Sequence, residues 1–307
     1  MNNLILNSSN VSGNSKSTYS YNFLKGGFTI NEDAYICVNQ ITIPYSWFNI
    51  SKNYGNNTFS YTWQGATLKT FIVVYPDGFY TLTDINNYLE QFMISNNHYL
   101  ISNTGQYLFY IQFLTNVTYY ANQILTFPLP TSLPANYTEP SGGFNKTFGY
   151  ASIAYTPQII IANYTSNASI GAILGFLPNT YPSTLSLLSQ SIKSNITPNL
   201  TPVNSVIIMC SKCINNSNPS TVLDSFTINA SFGNNITYTP SIQKWIRLIE
   251  GVYTTISLSF VDQNFNTIYC NDSNILISLL LKNGLKIEKK PLPFISQIKS
   301  INKLSFE

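Results

Sequence analysis

The sequence predicts an all-β fold, an antiparallel sandwich with one short helix. Three observations predict it. Between residues 34 and 281, short runs alternate apolar with polar residues and are separated by Gly, Pro, Asn or Asp turns. A single stretch spaces its apolar residues as a helix does. No strand–helix alternation of the kind that builds a parallel sheet runs through the chain.

Taken in order, residues 1–30 are rich in Ser and Asn and read as an extended, flexible N-terminal arm. Residues 34–44 (AYICVNQITIP) alternate Ile41 and Ile43 with Gln40 and Thr42, a half-buried strand closed by Pro44, which cannot donate to a ladder. Residues 59–63 and 70–75 (TFIVVY) are the next strands, and Pro76-Asp77-Gly78 is turn chemistry. In 81–93 (TLTDINNYLEQFM), Leu82, Ile85, Tyr88, Leu89, Phe92 and Met93 form one helical stripe. Thr81 and Asp84 are spaced as a capping box, and Asn96-Asn97 ends the helix. Residues 106–113, 123–127 and 157–162 are strand-like, with Pro/Gly/Asn-rich loops at 128–148 and 177–204. The segment 169–178 (SIGAILGFLP) is a short apolar element stopping at Gly175.

Residues 206–210 are continuously apolar, as in a strand covered on both faces. Residues 225–232 (SFTINASF) alternate strictly, and Gly233-Asn234-Asn235 reads as a hairpin turn into Ile236 and Tyr238. Residues 254–262 and 274–281 complete the series. Residues 244–250 around Trp245 read as a linker packing that ring into the sandwich. The arrangement predicted is one jelly roll over residues 31–281, with room for an insertion within 100–200, and a C-terminal tail from 282 to 307.

Composition narrows the function. Only 9 % of the 307 residues are charged, against about 25 % in an ordinary soluble domain. Asn (39), Ser (35) and Thr (29) take their place, and Tyr (22) and Phe (19) are abundant. A surface that becomes interface would be selected against charge and toward aromatics in this way. The net charge of +3 is uneven: residues 282–307 carry six Lys and two acids, leaving a nearly neutral body with a single Arg, Arg247. That body argues against a nucleic-acid-binding domain. No run approaches the roughly 20 apolar residues of a membrane span, and residues 1–20 carry no basic and apolar regions of a secretory signal.

Chemical motifs are sparse. His98, in SNNHYL, reads as a solvated loop residue rather than a base, and no Ser sits in a G-x-S-x-G context. Asp77, Asp84, Asp262 and Asp272 read as turn or cap residues. Cys210 and Cys213 form a C-x-x-C without a second ligand pair, so buried thiols are expected, beside Cys37 and Cys270. The reading is of no enzyme, with no catalytic, cofactor-binding or metal-binding residue, no cofactor and no small-molecule substrate.

Read together, several segments resemble the penton (minor capsid) proteins of the virophage and polinton group, the mavirus type most closely. They are ITIPYSWFNI (41–50), YPDGFYTLTDINNYLEQFM (75–93), IGAILGF (170–176), PVNSVIIMCSKC (202–213) and the closing run 223–281. The resemblance implies a homopentamer at the icosahedral vertices of a virion assembled in the host cytoplasm. Its partners would be further copies of itself and hexons of the major capsid protein. The basic tail would touch genome, internal membrane or a cement protein. An alternative for the same fold is an attachment protein binding glycans through exposed aromatics.

Overall fold

The structure is a computed structural model that describes residues 2–23, 27–146, 148–162 and 169–282. The chain is mostly β, and its buried side chains separate into two hydrophobic cores.

The first core lies between two antiparallel sheets. One runs in the order Asn2–Asn7, Leu276–Lys282, Tyr35–Pro44, Ile246–Leu248, Cys213–Ile214, with Asn235–Tyr238 also pairing with Tyr35–Pro44. The other runs Val222–Thr227, Ser205–Cys210, Thr255–Asp262, Thr18–Asn22, Val11–Ser12. Strict period-two burial explains the packing. Ile256, Leu258 and Phe260 of one sheet and Ile277, Leu279 and Leu281 of the other turn inward, while Ser257, Ser259 and Ser278 turn out. The expected alternation in these strands is present.

The second core is built from residues between Ile50 and Leu200. It holds a four-stranded sheet ordered Asn179–Tyr181, Ile159–Ile161, Thr58–Gln64, Leu68–Val74 and two three-stranded sheets. The helix Leu82–Ser95 packs here, burying Leu82, Ile85, Leu89 and Met93. Its start is the expected capping box: Thr81 Oγ1 accepts from the Asp84 N–H at 3.2 Å, and Asp84 Oδ2 accepts from the Thr81 N–H at 2.9 Å. The short helix Gly171–Leu174 ends at Gly175, whose φ of +86° favours glycine. A Cβ there would stand 2.5 Å from the Ile196 carbonyl oxygen.

The structure corrects several expectations. Residues 2–22 are no flexible arm. Asn2–Asn7 zips onto Leu276–Lys282 and buries Leu4 and Leu6, and Thr18–Asn22 pairs with Thr255–Asp262 and buries Tyr19. The strands near 60 and 70 and the helix, expected within the sandwich, belong to the second core, which covers more chain than the 100–200 window. Gly233 makes no hairpin. Val222–Thr227 and Asn235–Tyr238 lie in opposite sheets, so the turn carries the chain across the sandwich. Ser205–Cys210 is covered fully on one face only, with Val206, Ile208 and Cys210 buried and Ile207 and Met209 half-buried. Of the 244–250 segment, Leu248 enters the core and Trp245 stays half-buried. From residue 283 the basic tail lies outside the described residues.

Candidate functional site

For a charge-poor chain the candidate site is its surface. Leu68–Val74 is an edge strand of the four-stranded sheet, paired on one side with Thr58–Gln64. Leu68, Thr70, Ile72 and Val74 share one face, and Leu68, Ile72 and Val74 are 49, 62 and 49 % exposed. On the opposite face Val73 is fully buried. An exposed aliphatic edge is a template for association that natural proteins ordinarily blunt with charge or proline; here Lys69 is the strand's one charged residue. The sequence marks this strand by its apolar run over 71–75, which does not say which face meets solvent. A second exposed apolar feature is the turn Val117–Tyr119 with Tyr120, between strands Ile111–Asn116 and Ala121–Thr126. There the Lys193 ammonium lies 4.5 Å from the Tyr119 ring centre.

His98 departs most from its expected place. It is 1 % exposed and stacks on Trp63, with centroids 4.0 Å apart and planes 7° from parallel. Phe71 meets it edge-on at 4.6 Å, and its Nδ1 lies 2.8 Å from the Tyr61 hydroxyl. Burial drives its pKa down to about 3, opposed in part by the Asn145 side chain, so the ring is neutral at physiological pH. An imidazole sealed among aromatic rings has no path to a substrate proton, which closes the one His-based relay this chain could hold.

The acids sit where the sequence placed them. Asp77 Oδ1 accepts from the Lys52 N–H, Asp84 caps the helix, Asp262 Oδ1 accepts from the N–H groups of Asn264 and Asn266, and Asp272 Oδ1 accepts from the Asn274 N–H. Nothing in its sequence context marks Asp224, a buried carboxylate. It is 2.7 Å from Lys244 Nζ and accepts from the Tyr238 hydroxyl at 2.8 Å. All four cysteines are free and buried. Cys210 and Cys213 share a hydrogen bond that lowers the Cys210 pKa, helped by the backbone N–H groups of Lys212 and Cys213, and raises that of Cys213. Among the described residues no group of three or more His, Cys, Asp or Glu is arranged to hold a metal ion, and no helix is long and apolar enough to cross a membrane.

No family model and no curated protein matches the chain. Solved structures are similar to it, two of them as follows. The crystal structure of selenomethionine-labelled mavirus penton protein is 12 % identical, with 91 % of this chain and 97 % of that chain covered and a TM-score of 0.40. The cryo-electron microscopy structure of the Sputnik virophage is 12 % identical, with 86 % of this chain and 91 % of that chain covered and a TM-score of 0.33. Backbones that superpose this loosely establish a likeness and assign no role.

Proposed function

We propose that this chain is a structural protein of a viral capsid, a homopentamer at the icosahedral vertex that contacts the surrounding hexons of the major capsid protein. The observation that carries the need for a partner is the edge strand Leu68–Val74, with three exposed aliphatic side chains on an uncharged face. The low overall charge points the same way. The fivefold number and the hexon neighbours rest on the ordered sequence segments of 41–281 that resemble pentons. In this reading residues 31–281 form one capsid unit. Its sandwich is a single jelly roll, and the second core is an insertion into it. The site of action is the virion, after assembly in the host cytoplasm. The role is non-enzymatic.

The test is the absolute mass of the purified protein by light scattering, with negative-stain images of the same peak. A species near five times 34.4 kDa showing a fivefold ring is expected. A stable trimer overturns the vertex assignment. The tail of residues 282–307, with its six lysines, is assigned to the capsid interior, where it meets genome, internal membrane or a cement protein. Removing residues 285–307 is expected to impair assembly while the melting temperature of the body holds. Wild-type assembly from the shortened chain refutes that role.

A further inference from the structure

A cleft of about 500 Å³ opens where the two cores meet, within the size range of small-molecule sites. The turn after strand Thr255–Asp262 forms one wall, residues 53–56 the other, and residues 199–203, which lead back into the sandwich, run along it. Tyr54 and Tyr269 bridge the walls. Their rings meet edge-to-face at 5.5 Å, and the Tyr54 hydroxyl accepts from the Tyr269 N–H at 3.2 Å. Asp262 is held in one orientation, Oδ1 accepting two backbone N–H groups at 2.8 Å and Oδ2 accepting from Asn266 Nδ2 at 3.1 Å. The side-chain amides of Asn53, Asn199 and Asn264 also line the cleft, and none has a hydrogen-bond partner within the described chain.

This lining selects by exclusion. Among the described residues no Lys, Arg or His lines the cleft, so they offer an anion no counter-charge there. Its one carboxylate already accepts three hydrogen bonds, which leaves little for a cation. The unpartnered amides each present donors and an acceptor side by side, as a rim of hydroxyl groups requires. The tyrosines add apolar ring surface with a polar tip, suited to the C–H face of a sugar. We infer that this cleft binds a neutral saccharide through the amides of Asn53, Asn199 and Asn264 and the ring of Tyr269. The inference does not depend on the capsid reading, because binding is read on the purified chain and assembly by mass.

The experiment screens the full chain on an array carrying protein-type N- and O-glycans together with polysaccharide fragments. The neutral oligosaccharides that bind are then titrated by calorimetry. Binding in the micromolar to millimolar range is expected, and sialylated or sulfated analogues bind no better. A response confined to protein-type glycans identifies a glycoprotein as the source, and one confined to fragments identifies a polysaccharide. Asn264→Ala is expected to weaken binding by about tenfold or more without moving the melting temperature, since its side chain is exposed, and Tyr269→Ala to weaken binding as much while also lowering the melting temperature slightly through the lost contact with the Tyr54 ring. Absence of saccharide binding at millimolar concentration overturns the inference. So does binding that survives both substitutions unchanged.

Discussion

Stacked between aromatic rings, the neutral imidazole of His98 makes the protein acid-sensitive. An unfolded histidine takes up its proton near pH 6.5, whereas the folded one does so only at about 3. Between those values the unfolded state binds more protons, so the contribution of His98 is fully present above pH 6.5 and falls as pH drops toward 3, by about 1.4 kcal/mol per unit. His98→Asn keeps a hydrogen-bonding atom near the Tyr61 hydroxyl and removes the titration. Urea melts from pH 7 to 4 are expected to show a shallower loss of stability for the variant than for the wild type by about that slope. An imidazole resonance titrating near pH 6.5 in the folded protein refutes the account. The sequence misleads at this residue for a plain reason. SNNHYL is locally polar, while the rings that enclose His98 come from Tyr61, Trp63 and Phe71 on two strands earlier in the chain. Gly175, by contrast, is legible as a stop. Gly175→Ala combines a disfavoured φ with a clash at the Ile196 carbonyl, and a loss of more than about 1 kcal/mol is expected in the same melts.

Among the elements, those whose determinants are local were legible in the sequence. The helix carries its own cap and stripe, and Thr81→Ala is expected to cost about 1 kcal/mol in a denaturant melt, because it strands the Asp84 N–H. Strands were legible as strands, but their partners were not, since alternation fixes a face and says nothing of which sheet receives it. Asn235–Tyr238 illustrates this. Its neighbour in sequence invites a hairpin, yet it pairs with Tyr35–Pro44, about 200 residues earlier. The N-terminal strand was obscured differently, because Leu4 and Leu6 supply a period-two signal that the surrounding Asn and Ser dilute. The edge strand Leu68–Val74 is where an element becomes an interface. Ile72→Lys places a charge on its exposed face, so the monomer's stability is expected to change by less than about 0.5 kcal/mol. Assembly is expected to fail in light scattering. A variant that assembles like the wild type would free this strand from any interface role.

Across the whole molecule, Asn49 is placed to hold the two cores together. It is 1 % exposed, at the point where the chain leaves the sandwich after Trp47 and enters the second core at Ile50. Its Nδ2 donates to the carbonyls of Tyr80 at 2.7 Å and Leu200 at 2.8 Å, and its Oδ1 accepts from the Tyr80 N–H at 2.8 Å. Leu200 lies where the chain returns, so one side chain ties the outgoing segment of the junction to the incoming one. Asn49→Ala would leave three part-buried backbone groups without their partner, at up to about 1–3 kcal/mol each before relaxation. Much of that loss falls on the coupling between the cores rather than on either core alone. Tryptophan provides a probe on each side: Trp47 is buried in the sandwich core and Trp63 in the second. With Trp245 replaced by Phe, chains that retain only Trp47 or only Trp63 are expected to melt together when Asn49 is present. They are expected to melt at separate temperatures in the Asn49→Ala background. Coincident melts in both backgrounds would place the coupling elsewhere, in the aromatic contacts of Tyr45 and Phe232 with Phe79 or of Tyr54 with Tyr269. Separation on loss of Asn49 would mean that the cleft beside the junction, and any ligand it holds, exists only while that clasp is closed.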